Sequence, residues 1–306
     1  MATATLLLPA RSRLGAAALS EPVARALGRA RFSMHAEGEH AQLKRHFQLA
    51  GDVWPVAALT RQMDVGDAGR DLWLRADPAR VVPDMHGARL MGFGETLGLD
   101  ETDAQALLPA LQPVFAEHGL QFDAPTPTRW YLRVPEALPL PVFVAPEAVL
   151  GDDLFDHLPA GEPGRRWRAL LSETQVVLHT HPWNAERAAQ GRTAINTLWF
   201  WGGGVLPDAV RTSHAQIRSR DALLRALALA AGVQVDGEQT VDALVDLRQL
   251  RSMQQLGDEA IAPLLQAVRR AELDQLVLDF EDGAHFVIAA AQRWQFWKKP
   301  RQLHDT

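Results

Sequence analysis

The residues whose types and spacing best suit chemistry lie between positions 178 and 204, in the segment LHTHPWNAERAAQGRTAINTLWFWGGG. Two arginines stand close to an apolar stretch that ends in three glycines, and a pair of guanidinium groups can hold a phosphate or a carboxylate through paired hydrogen bonds. Glycines also let a ligand approach the backbone closely. The segment predicts a small-anion site formed by Asn184, Arg187, Arg192, Asn196, Gly202, Gly203 and Gly204.

Each of these residues also has a structural interpretation. Asn184 is suited to cap the start of a short helix, the two arginines can be ordinary surface residues, and the glycines can form a tight turn. His179 and His181 are two residues apart, so on a helix they lie on different faces and the spacing disfavours a metal pair. The anion-binding and the structural interpretations of the arginines therefore both stay open.

Acidic residues and histidines cluster at two further places, and hard metal ions take such oxygen-rich ligand sets. The first cluster is GDDLFDH, with Asp152 and Asp156, and the second surrounds Asp282-Gly283, which is also a typical hairpin dipeptide. Solvated loops and turns use the same residue types, so we expect no bound metal. If a metal is bound, the expected ligands are Asp279, Asp282 and His285.

Strands alternate with helices along the chain, and this alternation predicts an α/β fold. Apolar runs at 5–9 and 195–201 predict strands, and the helical spacing of apolar residues over 167–181 predicts a helix. Asp77-Pro78 predicts a turn, because the residue before a proline is biased away from helix. The polar residues 35–52, rich in histidine and glutamate, predict a solvated segment, and a metal site there is the alternative. The three glycines are expected to end the strand before them.

Composition narrows the class of protein. The chain has 306 residues, no cysteine, and 31 basic against 37 acidic side chains, for a net charge of −6. A mildly acidic surface argues against nucleic acid and against a membrane as partners, because either would need a basic face. The lack of cysteine excludes disulfides and thiolate metal sites, and it fits the cytoplasm. No apolar run resembles a signal peptide or reaches the ~18 residues of a membrane span, so we expect a cytoplasmic protein.

The segment 182–207 resembles part of the cofactor-independent phosphoglycerate mutases, in their archaeal-type branch. The positions that carry the resemblance are Pro182, Asn184, Arg187, Gly191, Asn196, Trp201, Gly202, Gly204 and Pro207. The stretches LRADP, RWYL and LWFWGGG are also similar to a small group of bacterial proteins labelled as regulatory proteins or as phosphoglycerate mutases. The resemblance implies an alkaline-phosphatase-like core sheet with helices on both faces, formed by residues 1–75 and 190–306, and an inserted α/β domain at 76–189.

The resemblance also implies what the chemistry of that family requires. The family uses two metal ions, held by aspartates and histidines, and a serine nucleophile. Its first strand leads into proline–aspartate–glycine, where the aspartate is a ligand, whereas this chain has Pro9-Ala10-Arg11. Its late core strand leads into an aspartate–x–x–x–histidine motif, which Leu278–His285 does not match. We therefore expect a non-catalytic relative without a cofactor, with a regulatory role or a role in binding a small phosphorylated metabolite.

Two other functions stay open. An active, divergent metal-dependent mutase or phosphatase would need two Mn or Zn ions per chain, with ligands from Asp152, Asp156, Asp279, Asp282 and His285. A scaffold that binds a protein partner would use the basic and aromatic tail at 292–306, whose tryptophans are otherwise expected to pack on the domain.

Overall fold

The computed structural model describes residues 2–50, 54–85, 87–238 and 241–304, apart from the side chain of Arg293. Residues 51 and 52 of the predicted solvated segment and residues 305 and 306 of the tail lie outside the described residues. The strands are β1 (Thr3–Leu8), β2 (Arg31–Met34), β3 (Phe47–Leu49), β4 (Leu72–Pro83), β5 (Ala88–Phe93), β6 (Gln121–Asp123), β7 (Tyr131–Val134), β8 (Thr197–Val205), β9 (Val210–Thr212), β10 (Gln216–Arg218), β11 (Gln234–Val235), β12 (Ala243–Asp246), β13 (Gln275–Phe280) and β14 (Ala284–Ala289).

Helices connect most of these strands. They are α1 (Glu21–Arg29), α2 (Glu39–Lys44), α3 (Val56–Asp64), α4 (Glu101–Glu117), α5 (Gly161–Thr180), α6 (Pro182–Ala189), α7 (Ala222–Ala230), α8 (Met253–Gln255) and α9 (Ala262–Arg269). A π-helical turn, Leu256–Ile261, joins α8 to α9. None of the described helices is long and apolar enough to cross a bilayer.

The first compact unit contains residues 1–50 and 209–306 and is built on a seven-stranded sheet. The strand order is β11-β10-β12-β1-β13-β14-β2. The first five strands are parallel, and β14 runs antiparallel to both of its neighbours, β13 and β2. One face of β1 and β13 carries Leu6, Leu8, Leu278 and Phe280, which belong to one apolar core with residues of α1 and α9. The α/β class that the alternation of elements predicts is confirmed.

The second compact unit contains residues 51–208 and holds an antiparallel sheet. Its order is β5-β4-β7-β6, and β8 pairs with the long strand β4. An apolar core surrounds this sheet and includes Trp130, Trp167 and Phe115. The unit boundaries at 50/51 and 208/209 differ from the expected 75/76 and 189/190, because β4 and β8 are neighbours in one sheet and so belong to one unit.

The expected turn at Asp77-Pro78 is wrong, because β4 continues through both residues to Pro83. β4 pairs with β7 over Leu72–Arg75 and with β5 from Ala79 onward, so Pro78 lies between the two partner strands. On the side of β4 that faces β7 and β5, a proline at that position therefore costs no hydrogen bond between strands. A proline also favours an extended backbone at the residue before it, and this conformation fits a strand.

The expected strand end at the three glycines is also wrong, because β8 continues to Val205. The backbone of Gly202 is left-handed, with φ +66°, and a Cβ there would lie 2.9 Å from the Cβ of Val56. A Cβ on Gly204 would lie 2.6 Å from the Cβ of Pro55. The glycines therefore let β8 pass close to the start of α3.

A buried ion pair lies within β4. The side chains of Arg75 and Asp77 are fully or almost fully buried and form two hydrogen bonds of 2.8 Å, and Trp201 Nε1 donates to Asp77 at 2.7 Å. Burial raises the pKa of Asp77 against the opposing effect of Arg75. Either partner alone would be a buried charge without compensation.

We expect Asp77→Ala to lower the free energy of unfolding by about 3–5 kcal/mol, because it leaves the charge of Arg75 buried without its carboxylate partner. Asp71→Ala is the control: Asp71 directly precedes β4 and pairs with Arg133 at 2.7 Å on the surface, and its loss should cost about 0.2–1 kcal/mol. Urea unfolding of the parent and both variants measures the difference. Equal losses in the two variants would contradict a structural role for the buried pair.

Candidate functional site

Charged side chains gather where the parallel strands of the first unit end. β1, β12 and β13 run parallel and in register, so their carboxyl ends lie at one edge of the sheet. Asp246 is the last residue of β12, Asp279 is next to last in β13, and Arg11 and Asp282 follow β1 and β13 within three residues. Ligand sites of open α/β sheets are found at this edge.

Asp279 is the most buried acid of this group, with none of its surface exposed. Its neighbours Leu278 and Phe280 point into the apolar core, so the alternation of a strand turns Asp279 to the opposite face. There Arg45 donates to both carboxylate oxygens, at 2.7 to 3.1 Å, and His46 Nε2 lies 2.6 Å from Oδ2.

The segment that carries Arg45 and His46 is held in place by its own helix. Gln42, on α2, is fully buried, and its side-chain amide donates to the carbonyl oxygens of Leu8 and Asp279, at 3.0 and 2.6 Å. These bonds attach α2 to the ends of two adjacent strands. They place the next turn of the chain over the Asp279 carboxylate.

Two histidines continue the hydrogen bonding that begins at the Asp279 carboxylate. His46 Nδ1 lies 3.1 Å from His214 Nε2, so Asp279, His46 and His214 form a chain of hydrogen bonds. Burial alone would raise the pKa of Asp279, but the hydrogen bonds from His46 and Arg45 outweigh it and hold the pKa below its usual range. Burial, together with the nearby His46, lowers the pKa of His214 to about 4. At neutral pH, Asp279 is therefore ionised and His214 is neutral.

A second charged group lies at the end of β12. Arg248 donates to both oxygens of Asp246, at 2.8 and 3.0 Å, and also contacts Glu39. Ser219 Oγ donates to Asp246 at 2.6 Å. Burial opposes ionisation of Asp246, but the bonds from Arg248 and Ser219 lower its pKa, whereas burial raises the pKa of Glu39 despite Arg248.

A third charged group, of two ion pairs, follows β1 and β13. Arg11 Nε donates to Asp282 at 2.8 Å, and Arg13 Nη1 donates to Glu281 at the same distance. Each acidic side chain at this edge that the preceding paragraphs describe is thus bonded to a guanidinium group.

The metal ligands considered from the sequence are not brought together as one set. Asp279 and Asp282 contact different arginines, and His285 pairs with Asp279 across the two strands while its ring packs on His35 at 5.2 Å. Asp152 and Asp156 belong to the second unit, where Asp152 bonds His157 at 3.0 Å. Among the described residues, no group of three or more histidines and acidic residues is arranged to hold a metal ion.

In the second unit, the structure places the asparagines of the predicted anion site in backbone contacts. The amide of Asn184 donates to the carbonyl oxygens of Leu178 and Ile195 and accepts from the Ile195 N–H. Asn196 exchanges two hydrogen bonds with the backbone of Val81, at 2.8 and 2.9 Å. Both side chains fix the chain around the start of β8.

The two arginines of that predicted site share one carboxylate. Arg187 is completely buried, with Nη1 2.6 Å from Asp103, and Arg192 contacts both Asp103, at 2.5 Å, and Asp100, at 3.1 Å. Arg187 also donates to the carbonyl oxygens of Thr193 and Leu97. Arg192 is the more accessible, with a quarter of its side chain exposed.

Sequence reasoning assigned Glu39, Gln42, Arg45 and His46 to a solvated segment, and it gave no role at a site to His214, Ser219, Asp246 or Arg248. The segment 35–50 is largely exposed or half-buried, as expected, but Gln42, Leu43 and Phe47 are buried. The segment also contains α2, β3 and the partners of Asp279, which the expectation of a solvated segment did not include. A usable signal was the pattern of an acid after an apolar run, which ALVD at 243–246 shares with LVLD at 276–279. No local signal linked Arg45 and His46 to a residue more than two hundred positions away.

We expect the stability of the protein to fall as the pH drops from about 6.5 toward 4, in part because of His214. In that range the unfolded chain binds a proton on this histidine that the folded chain excludes, since its pKa moves from 6.5 to about 4 on folding. The full shift corresponds to roughly 3 kcal/mol. Urea unfolding at pH 7 and pH 5 measures the loss.

His214→Gln keeps a polar partner for His46 and removes this titration. The variant should lose less stability than the parent between pH 7 and pH 5, by up to about 1.4 kcal/mol per pH unit. The same pH dependence in both proteins would show that His214 titrates normally in the folded chain.

Comparison with known proteins gives relatives of one kind. No family model matches the chain. The probable 2,3-bisphosphoglycerate-independent phosphoglycerate mutase of Geobacter sulfurreducens is 25% identical over 181 residues, which cover 59% of this chain and 44% of that protein. The 2,3-bisphosphoglycerate-independent phosphoglycerate mutase of Methanosarcina acetivorans is 32% identical over 96 residues, which cover 29% of this chain and 24% of that protein.

A solved structure that aligns with this chain is also named as a phosphoglycerate mutase. The cofactor-independent phosphoglycerate mutase of Thermoplasma acidophilum aligns with 94% of this chain and 90% of its own, with 16% identity and a TM-score of 0.40. The chain's sequence matches span less than half of the length of each curated relative named above. Over these stretches, the chain is similar in sequence to the cofactor-independent phosphoglycerate mutases.

Proposed function

We propose that this protein is a phosphoglycerate-mutase-like relative that has lost the two-metal phosphotransfer site and acts by binding a small phosphorylated ligand in a regulatory role. The observation that carries the first part is the Asp279 carboxylate, whose two oxygens already bond Arg45 and His46. The relatives suggest phosphoglycerate as the first ligand to test.

The argument against a metal at this edge is one of charge and of available lone pairs. A divalent ion needs ionised carboxylates that can turn their oxygens toward it. Asp279, Asp246 and Asp282 instead face Arg45, Arg248 and Arg11 in turn, and a guanidinium group keeps its charge at any ordinary pH. A metal ion would have to displace a cation from each acid, so these residues fit the two-ion site poorly.

The turn after β1 supports the same conclusion. The resemblance assigns a metal-binding aspartate to the position after Pro9, and this chain has Ala10 there. The next residue, Arg11, brings a positive charge to the edge and bonds Asp282 at 2.8 Å. The substitution thus removes a ligand, and the arginine beside it repels a cation.

We expect the purified protein, stripped of metal and then incubated with Mn²⁺ or Zn²⁺, to hold no stoichiometric metal and to show no mutase activity. Elemental analysis and an assay with phosphoglycerate measure the two outcomes. Two bound ions per chain, with activity, would contradict the proposal and favour the active metal-dependent enzyme.

A variant pair tests whether arginine is what occupies the site. Arg45→Ala frees the Asp279 carboxylate, so Mn²⁺ should raise the melting temperature of this variant and leave that of the parent unchanged. Arg13→Ala is the control, because Arg13 lies at the same edge and bonds Glu281 instead. A Mn²⁺ effect of equal size in the control would show that the ion binds elsewhere.

Ligand binding is tested separately from metal binding. A phosphorylated ligand at one hundred times its Kd should add roughly 2.7 kcal/mol to the free energy of unfolding, which a thermal shift with phosphoglycerate or sugar phosphates detects. Arg192→Gln should remove the shift if the ligand binds at the arginines of the second unit, and Arg13→Gln serves as the control for a lost surface charge. No shift with any phosphorylated metabolite would contradict the ligand-binding role.

A further inference from the structure

The C-terminal tail exposes aromatic side chains that were expected to pack on the domain. Trp294 is 67% exposed, Phe296 77% and Trp297 69%. The rings of Phe296 and Trp297 pack edge to face, 5.5 Å apart, so they form one apolar projection. We call residues 294–297 the aromatic loop. Exposed apolar clusters of this kind usually mark an interaction site.

Both ends of the aromatic loop are fixed to the first unit. Before it, the side chain of Gln292 bonds the backbone of Ala289 and Val287, at 3.0 and 3.2 Å. After it, the Arg301 N–H donates to Ala24 at 2.9 Å, and Leu303 is buried. The loop is therefore held outward by anchors on either side.

The chain that follows the aromatic loop passes very close to α1. A Cβ on Gly28 would lie only 1.9 Å from the carbonyl oxygen of Lys299, so the tail passes α1 where only a glycine leaves room. The guanidinium group of Arg301 stacks over the ring of Phe32 at 4.2 Å. These contacts fix the direction in which the loop projects.

Lysines lie beside the exposed rings. Lys298 and Lys299 directly follow the aromatic loop, both are exposed, and they are two of only three lysines in the chain. The last fifteen residues contain four basic and one acidic side chain, although the whole chain carries a charge of −6. Fold and sequence together concentrate positive charge next to the aromatic loop.

We propose that the aromatic loop is a peripheral membrane contact, which inserts Trp294, Phe296 and Trp297 among the headgroups of an anionic lipid surface. Tryptophan prefers the boundary between apolar and hydrated regions, and lysines beside it bind lipid phosphates. Protein interfaces, in contrast, are depleted in lysine near their aromatic centre. An exposed, lysine-flanked loop fits a lipid surface because a bilayer needs no preformed groove to receive it.

This proposal departs from the expectation based on net charge. Salt screens charges farther away than about 8 Å at physiological ionic strength, so the acidic residues elsewhere act weakly on a lipid phosphate at the loop. Each lysine near the surface of an anionic membrane strengthens binding about fivefold. The local charge of the tail, rather than the total charge of the chain, therefore determines binding to an anionic lipid surface.

The test is co-sedimentation of the full-length protein with sucrose-loaded vesicles of phosphatidylcholine containing about one third phosphatidylglycerol. We expect binding to these vesicles, weaker binding at high salt, and none to phosphatidylcholine alone. The double variant Phe296→Ser, Trp297→Ser should bind roughly a hundredfold more weakly, about tenfold for each ring. The double variant Lys298→Gln, Lys299→Gln should bind roughly thirtyfold more weakly.

The control variant is Arg70→Gln, Arg165→Gln, which removes two highly exposed positive charges outside the tail. It should bind like the parent, and all variants should melt like the parent because the changed side chains are exposed. The proposal is overturned if the parent does not bind the anionic vesicles, or if it binds neutral ones equally. It is also overturned if sedimentation velocity shows a parent oligomer that the loop variants lose, since the loop would then be a protein interface.

Discussion

The first unit depends on keeping one buried carboxylate charged. Asp279 lies near the carboxyl end of β13, an interior strand of the seven-stranded sheet, where a buried ionised group without partners would cost several kcal/mol. Arg45 and His46 remove that cost, and Gln42 ties their helix to the backbone of β1 and β13. The position of α2 follows from this requirement, and so does the route of the chain from the sheet edge to β3.

The pairing of a buried or half-buried carboxylate with an arginine recurs in both units. Asp246 bonds Arg248 and Asp282 bonds Arg11 in the first unit, while Asp77 bonds Arg75 in the second. The partner is arginine in each case, and all but three of the 31 basic residues that are not histidine are arginines. A planar guanidinium group can bond both oxygens of a carboxylate and loses less hydration than an ammonium group on burial. The chain therefore balances these acids with its own arginines.

Sequence patterns were sufficient for many of the elements. The strand at the N-terminus, the helix α5 and the hairpin of β13 and β14 follow from local apolar spacing and from the Asp282-Gly283 turn, and the structure confirms them. The turn expected at Pro78 and the strand end expected at Gly202 were wrong for a shared reason. Proline and glycine signal a break only on average, and here the neighbouring strands and α3 give each residue a place within a strand.

Arg187 and Arg192 show the limit of a motif. Their spacing fits an anion, but the nearest anion in the structure is Asp103, which lies more than eighty residues earlier in the chain. A local pattern records which groups are available to bond and gives no information on partners that the fold brings from elsewhere. In the tail, the tryptophans are of a residue type that usually packs in a core, but the fold exposes them because the chain beside them is anchored on α1.

The sequence by itself determined the α/β class, most of the apolar strands and helices, and the relationship to the phosphoglycerate mutases, because each of these depends on residue type and short-range spacing. Tertiary structure alone decided that Arg45 and His46 meet Asp279, that the paired arginines contact Asp103, and that Trp297 is exposed. These outcomes depend on contacts between distant segments. The burial of a charge or a ring is a property of the folded surroundings and cannot be read from its neighbours in the chain.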